Sequence, residues 1–334
     1  MTTTRPIAIT VGDAAGVGPE LSLRVASEPE LMPTAPVVLV GSAGLLRRVA
    51  SATGLEVTIE TVDDVRDVRS TPGVAFVKDV PMDFDGVVPG RVSAACGKAA
   101  VDAITLSTSL ALEGAIAAVC SAPANKEAFN EAGYHFEGQT EIFAHLTNTV
   151  TFHTLLVGGP LRVSLVSAHC SMLEAIARVR TDRIQRILGE LYTAMRDQFG
   201  VRDPRIGVAG LNPHAGENGV FGMEEIEQIR PALEWGRSQG MNLSEPLAAD
   251  SLFAQAEAGR FDAVLAMYHD QGTIPLKRYG YVTYAAGLPI IRTTAGHGTA
   301  FDIAWKGIAD PELLARATAL AADLAAPKKA APGA

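Results

Sequence analysis

Three of the seven histidines share one local context. His169 follows the strand-like run Leu161-Arg-Val-Ser-Leu-Val166, His214 follows Ile206-Gly-Val-Ala-Gly-Leu211, and His269 follows Ala263-Val-Leu-Ala-Met267. Each stands just past the carboxyl end of a predicted strand. In an open α/β sheet the ligand crevice lies outside those ends, where side chains far apart in sequence converge. Three imidazoles with room left for substrate oxygens make a catalytic metal arrangement, as in a zinc site with an open fourth position. The polar, turn-rich stretches Asn212-Pro-His-Ala-Gly-Glu217 and His269-Asp-Gln-Gly272 suit functional loops on a rigid scaffold. The competing expectation is that each histidine caps a strand or bonds a carbonyl, and the matched context of all three weighs against it.

The other four histidines lack this pattern as a set, and His145 and His153 read as structural. His297 lies in the glycine-rich Thr293-Thr-Ala-Gly-His-Gly-Thr299, whose backbone N–H groups could approach a cofactor or a phosphate. The first strand-to-helix junction, Thr10-Val-Gly-Asp-Ala-Ala-Gly-Val-Gly-Pro-Glu20, carries three glycines and a proline suited to the first turn of a helix. It is not G-x-G-x-x-G, and a tight turn explains it as well as phosphate binding does. Lys126, Lys277 and Arg292 are the cations available to hold an anion, the latter two in the glycine-rich segment that begins with His269.

The elements that must position these residues follow a βαβ rhythm. Ile7–Val11, Val37–Val40, Ala117–Cys120, Leu161–Val166, Ile206–Ala209 and Ala263–Met267 read as buried strands. Between them Ser93–Ile116, Asp182–Phe199 and Met223–Ser238 carry helical spacing, the last with Glu224 and Glu225 suited to a helix N-terminus. The expected class is α/β with a mostly parallel sheet. At 334 residues the chain exceeds one ordinary core, so two lobes with a cleft are expected. The expected division is 1–125 plus 300–328 and 126–299, with a frayed tail at 329–334.

Composition narrows the partners. With 48% hydrophobic and 19% charged residues, the chain is that of an ordered globular protein. A net charge of -9 opposes binding to a phosphate backbone, so nucleic acid is not an expected partner, although a few gathered cations suffice for a small anion. Cys96, Cys120 and Cys170 are odd in number and widely spaced, which gives neither a disulfide framework nor a Cys-x-x-Cys metal site and fits a reducing, cytoplasmic setting. The apolar run after Met1–Arg5 is too short for a signal peptide, and no stretch approaches the roughly 20 apolar residues that span a bilayer.

Five motifs in register carry a family resemblance: Gly12-Asp-Ala-Ala-Gly-Val-Gly-Pro-Glu20, Gly138-Gln-Thr-Glu141, Leu211-Asn-Pro-His-Ala-Gly-Glu217, Ala266-Met-Tyr-His-Asp-Gln-Gly272, and Gly287-Leu-Pro-Ile-Ile-Arg-Thr293 followed by His297-Gly-Thr-Ala300. Together they resemble the 4-hydroxythreonine-4-phosphate dehydrogenases. The resemblance implies a two-lobed fold like that of isocitrate and isopropylmalate dehydrogenases, and a homodimer that shares its active site. It also implies NAD or NADP as cofactor and a divalent metal such as zinc, magnesium or cobalt. His169, His214 and His269 match the metal positions; Gln139, Thr140, Lys277, Thr283 and Arg292 match the substrate contacts. Gln139 stands where the family usually has histidine, and Thr283 where it usually has asparagine.

The implied chemistry is oxidation of a hydroxy acid followed by decarboxylation, with 4-hydroxythreonine 4-phosphate or a close phosphorylated hydroxy acid as substrate. Asp250, Asp270 and Lys126 are the candidate proton acceptors. The two departures keep open a second expectation from the same family, a cis-dihydrodiol dehydrogenase of a carboxylated aromatic such as terephthalate. A third, of another class, is a non-catalytic protein that binds a small anion.

Overall fold

The computed structural model describes residues 5–327, so the tail at 329–334 lies outside the described residues. Along the chain, β1 (Ile7–Thr10), α1 (Gly18–Ser27), β2 (Val37–Gly41), α2 (Ala43–Thr53), β3 (Thr58–Thr61) and β4 (Val74–Asp79) come first. They are followed by α3 (Ala94–Leu112), β5 (Ala118–Ser121), α4 (Lys126–Glu131) and α5 (Gln139–Leu146). Next come β6 (His153–Gly158), β7 (Leu161–Leu165), α6 (Met172–Ala177), α7 (Thr181–Asp197), β8 (Arg205–Ala209) and α8 (Arg230–Ser238). Then follow β9 (Asn242–Leu247), α9 (Ala249–Glu257), β10 (Ala263–Ala266), α10 (His269–Lys277) and β11 (Val282–Ala286). The chain ends with β12 (Arg292–Ala295) and α11 (Glu312–Ala325).

Two compact units result, Met1–Val150 with Leu288–Pro327, and Thr151–Gly287. The boundaries expected from the sequence stand near 125 and 299. They move because α4 and α5 pack on α3, and β12 pairs with β5, so both segments belong to the first unit.

In the first unit the strands run β3-β4-β2-β1-β5-β12, all of them parallel. β1, β2 and β5 are buried along their whole length, which is why they read as continuous apolar runs without alternation. Helices α2, α3 and α4 start where a polar side chain can replace the missing intrahelical acceptor. Ser42 accepts the Leu45 N–H at 3.3 Å, Ser93 accepts the Cys96 N–H at 3.3 Å, and Asn125 accepts the Glu127 N–H at 2.8 Å.

In the second unit the order is β11-β6-β7-β10-β8-β9, with β6 antiparallel to both of its neighbours and the rest parallel. Leu161, Val163, Ala209, Val264 and Ala266 form one buried cluster with Leu252 and Leu276. Each such leucine or valine contributes roughly 1.5–3 kcal/mol by leaving water, and together they hold β7, β10 and β8 in register. α7 buries Ile184, Ile187, Leu188 and Leu191, the i, i+3, i+4, i+7 stripe expected of a surface helix. The helix expected from Met223 instead begins with a π-helical turn over Glu225–Ile229 before α8.

Candidate active site

β10 pairs in parallel with β7 on one side and β8 on the other, so the carboxyl ends of these three strands lie side by side. His169, His269 and His214 stand three to five residues beyond those ends. Two polar side chains tie the loops together. Ser167 donates both its N–H and its hydroxyl to the Met267 carbonyl, at 3.2 and 3.0 Å. Gln271 accepts the Met267 N–H at 2.7 Å and donates to the Gly210 carbonyl at 2.7 Å. Neither residue stands out in the sequence, where each looks like any polar loop position; only the adjacency of the strands gives them their task.

The imidazoles of His169 and His269 are 5.6 Å apart between ring centres. His269 Nδ1 lies 2.7 Å from Asp270 Oδ1, which leaves Nε2 directed away from the carboxylate. Such a carboxylate partner fixes a ligating ring's orientation and raises its basicity. His214 is exposed, its ring edge-on to Phe221 at 6.0 Å and its Nδ1 3.8 Å from Glu217 Oε2.

His214 sits in a left-handed turn. His214, Ala215, Gly216, Glu217 and Asn218 have φ of 51°, 55°, 76°, 44° and 56°. For residues with a Cβ this conformation costs roughly 1–2 kcal/mol each, and only Gly or Asn adopts it readily. Such strain persists only where the surroundings over-determine it. Here the surroundings include Glu225, which is 2% exposed. Its Oε1 accepts the N–H groups of Leu211 and Asn212, both at 2.8 Å, and its Oε2 accepts the Asn212 side-chain amide at 2.9 Å. Hydrogen bonds to a charged group contribute roughly 1.5–3 kcal/mol each, enough to offset the strain of the turn. The sequence suggests that Glu225 merely opens a helix; in the structure it serves the loop before it.

Among the described residues no three His, Cys, Asp or Glu side chains converge into a formed metal cluster. The donors nonetheless fit a divalent cation. Two imidazoles on one tetrahedral ion place their centres about 5 Å apart, close to the separation of His169 and His269. One ring is already oriented by a carboxylate, and the third histidine stands on the neighbouring strand end.

The first unit carries Arg292, Thr140, Gln139 and Lys126 of the anion-binding candidates. Arg292, 3% exposed, opens β12. Its Nε donates to Ser121 Oγ at 3.3 Å and its Nη1 to Thr140 Oγ1 at 3.0 Å, and its guanidinium lies 5.4 Å from the Phe143 ring centre. Burial pulls its pKa down to about 10, so it stays charged at neutral pH. Among the described residues no carboxylate forms an ion pair with it. Its hydrogen-bond partners are neutral and Glu141 acts on it only from beyond ion-pair distance, and a buried cation so placed is expensive unless an anion joins it. Gln139 Nε2 donates to the Ala122 carbonyl at 3.1 Å, in the first turn of the same α5 that carries Thr140.

The remaining candidates are spread wider. Lys126 opens α4 and lines a cavity of about 500 Å³ with Asn125, Asn130, Gly298 and Thr299. In the second unit Lys277 ends α10 with its Nζ 5.5 Å from the Tyr281 ring centre, and Thr283 lies in β11 opposite Leu156. Asp250 is exposed in the first turn of α9 and accepts the Ser251 N–H at 2.8 Å. His145 tilts against Phe136 at 5.4 Å, and buried His153 faces Glu190 at 3.1 Å.

A chain whose sheet edge gathers exposed imidazoles, and which buries a cation among neutral partners, has the make-up of an α/β enzyme for an anionic substrate. Within that class it belongs to the family described as Pyridoxal phosphate biosynthetic protein PdxA, whose model matches residues 33–321. It is 41% identical over 328 residues to the D-threonate 4-phosphate dehydrogenase of Salmonella typhimurium, covering 96% of this chain and 99% of the relative. Among solved structures, a 4-hydroxythreonine-4-phosphate dehydrogenase from Klebsiella pneumoniae superposes with a TM-score of 0.91 at 41% identity, over 97% of this chain and 100% of that one. A terephthalate 1,2-cis-dihydrodiol dehydrogenase from Burkholderia xenovorans gives 0.66 at 29%, over 95% and 98%. The chain is an oxidoreductase of the dehydrogenase type. Among the described residues no helix is long and apolar enough to cross a membrane.

Proposed function

We propose that the protein oxidises and decarboxylates a small phosphorylated hydroxy acid, either 4-hydroxythreonine 4-phosphate or D-threonate 4-phosphate. The observation that carries this reading is the buried Arg292 guanidinium, held by Ser121 and Thr140 with no carboxylate in ion-pair contact among the described residues. It supplies a fixed, charged fork for one anionic end of the substrate. Thr140 and Gln139 would supply further donors, and the family resemblance assigns Lys277 and Thr283 to the same task. The higher likeness to the two phosphate-ester dehydrogenases than to the dihydrodiol dehydrogenase supports the same choice.

His169, His214 and His269 would hold the divalent ion, whether zinc, magnesium or cobalt; when bound, it supplies Lewis-acid polarisation of a substrate oxygen, while NAD or NADP accepts the hydride. Asp270 keeps the His269 ring oriented through its 2.7 Å contact and is therefore engaged as an orienting group. Asp250 and Lys126 remain as acceptors for the hydroxyl proton. The resulting ketone is β to the carboxylate, so carbon dioxide leaves, its bonding pair forms an enolate, and carbon takes up a proton. The aminated substrate gives 3-amino-2-oxopropyl phosphate; the hydroxy acid gives 3-hydroxy-2-oxopropyl phosphate. The cavity lined by Lys126, Gly298 and Thr299 is our candidate for the cofactor.

Homodimerisation belongs to the same proposal. The second unit leaves Met172, Leu173, Val220, Phe221 and Ile274 between 48% and 83% exposed, apolar side chains that a partner subunit would cover. A cytoplasmic setting is supported by the three unpaired cysteines. The test is nicotinamide reduction by purified protein with added divalent metal. Turnover of either phosphate ester is expected; turnover of terephthalate cis-dihydrodiol alone would reject the reading.

A further inference from the structure

We propose that Glu225 is the positioning residue of His214, fixing the left-handed turn that decides where this imidazole can reach. The inference rests on His214 being a metal ligand. Its physical basis is a buried carboxylate whose three hydrogen bonds all go to the residues that launch the turn, Leu211 and Asn212. The turn is packed around that carboxylate. At Gly216, with φ +76°, an added Cβ would lie 2.6 Å from Glu225 Oε2. At Gly210 it would lie 2.7 Å from Ala215 Cα and 3.1 Å from Glu225 Oε1. Both glycines therefore leave room for the carboxylate and the reversed backbone to meet. Asn212 is held a second time, by Glu224 Oε2 at 2.7 Å. A right-handed or extended path through residues 214–218 would carry the His214 side chain away from the strand-end row that it shares with His169 and His269.

Glu225 does not touch metal or substrate in this scheme; it acts through His214, and that makes the two residues energetically coupled. The experiment is calorimetric titration of the metal-free full chain with Co²⁺ for wild type, Glu225→Gln, His214→Ala and the double variant, with Gly216→Ala as a second perturbation of the same turn. Hydrogen exchange of the Leu211 and Asn212 amides and near-UV circular dichroism accompany each titration. Glu225→Gln is expected to weaken Co²⁺ binding roughly 10- to 100-fold, the range for loss of a group that orients a ligand. Its Leu211 and Asn212 amides should exchange faster while the aromatic dichroism is kept. In the His214→Ala background the same change should cost little further. Glu225→Gln with wild-type Co²⁺ affinity, or with an equal loss in both backgrounds, overturns the positioning role. Should Glu225→Gln unfold the protein, Gly216→Ala must reproduce the coupled loss, and its failure to do so counts equally against the proposal. Undiminished Co²⁺ binding by His214→Ala alone would instead remove the metal reading on which it rests.

Discussion

Arg292 Nη1 donates to Thr140 Oγ1 at 3.0 Å, joining two residues 152 positions apart. The hydroxyl orients the guanidinium without neutralising it, so the charge remains for a ligand. Arg292→Met should therefore lower kcat/KM for the phosphorylated acid by roughly 10- to 150-fold, equivalent to about 1.5–3 kcal/mol for a charge-assisted bond. The thermal midpoint should stay level or rise, because an apolar chain replaces a buried charge. Steady-state kinetics paired with calorimetry check this. Unchanged kcat/KM with a lower midpoint would make Arg292 a structural brace.

Asp270 offers a separate handle on the proposed metal site. Asp270→Asn keeps the shape of the side chain but loses the charge beside His269 Nδ1. Affinity for Co²⁺ should fall about 10- to 100-fold while the fold is retained. A titration that shows no loss would mean the carboxylate does not orient the ring. Removing the metal with a chelator should abolish nicotinamide reduction, and Co²⁺ should restore it.

Asp13 gives a pH dependence whose sign can be stated. It is fully buried with the Cys96 thiol beside it, and burial lifts its pKa from an ordinary 3.8 to about 6. The folded chain thus holds the proton more tightly than the unfolded chain. This contribution is whole below about pH 4 and is lost as pH rises through 6, an effect of up to about 3 kcal/mol. Asp13→Asn stays neutral throughout, so its stability relative to wild type should increase between pH 4.5 and 7.5. Urea unfolding at the two values measures it; a difference independent of pH would show that the carboxyl titrates normally.

Two glycine replacements should differ in cost. At Gly97 in α3 a Cβ would fall onto the Ala128 carbonyl of α4, the helix that begins with Lys126. Gly97→Ala should destabilise by about 1–3 kcal/mol through overpacking. At Gly54 nothing lies within 4 Å, and only its φ of +69° opposes a side chain. Gly54→Ala should cost roughly 1–2 kcal/mol, the left-handed penalty alone. Equal thermal midpoints for Gly97→Ala and wild type would contradict the close α3–α4 contact.

The residues that could be read in advance are those whose role is written in local pattern. Ile7–Thr10 and Ala263–Ala266 are apolar because both faces are covered, so they announce themselves as strands. β3 does not, because Thr58, Glu60 and Thr61 are exposed at the sheet edge and carry little apolar signal. β9, with Asn242 and Glu245 exposed, escaped for the same reason. The three histidines were readable because each follows such a strand. Their supports were not: nothing local to Glu225 says that its carboxylate will turn back toward Asn212, and nothing in Asn212–Asn218 says that the backbone will reverse its hand. Both depend on tertiary hydrogen bonds.

The strand at the centre of the histidine row is made last. β7 and β8 precede β10 in the chain, yet β10 lies between them in the sheet and pairs with both. During synthesis the first two strands therefore emerge before the strand that pairs with both, and His169 lacks the neighbouring ring of His269 until β10 and the residues after it are made. Pairings so distant in sequence form late, after the entropy of closing the intervening loops has been met. A chain arrested before β10 has two separated histidines and no row, so the strand-end edge proposed to hold the metal is assembled only when β10 closes the gap.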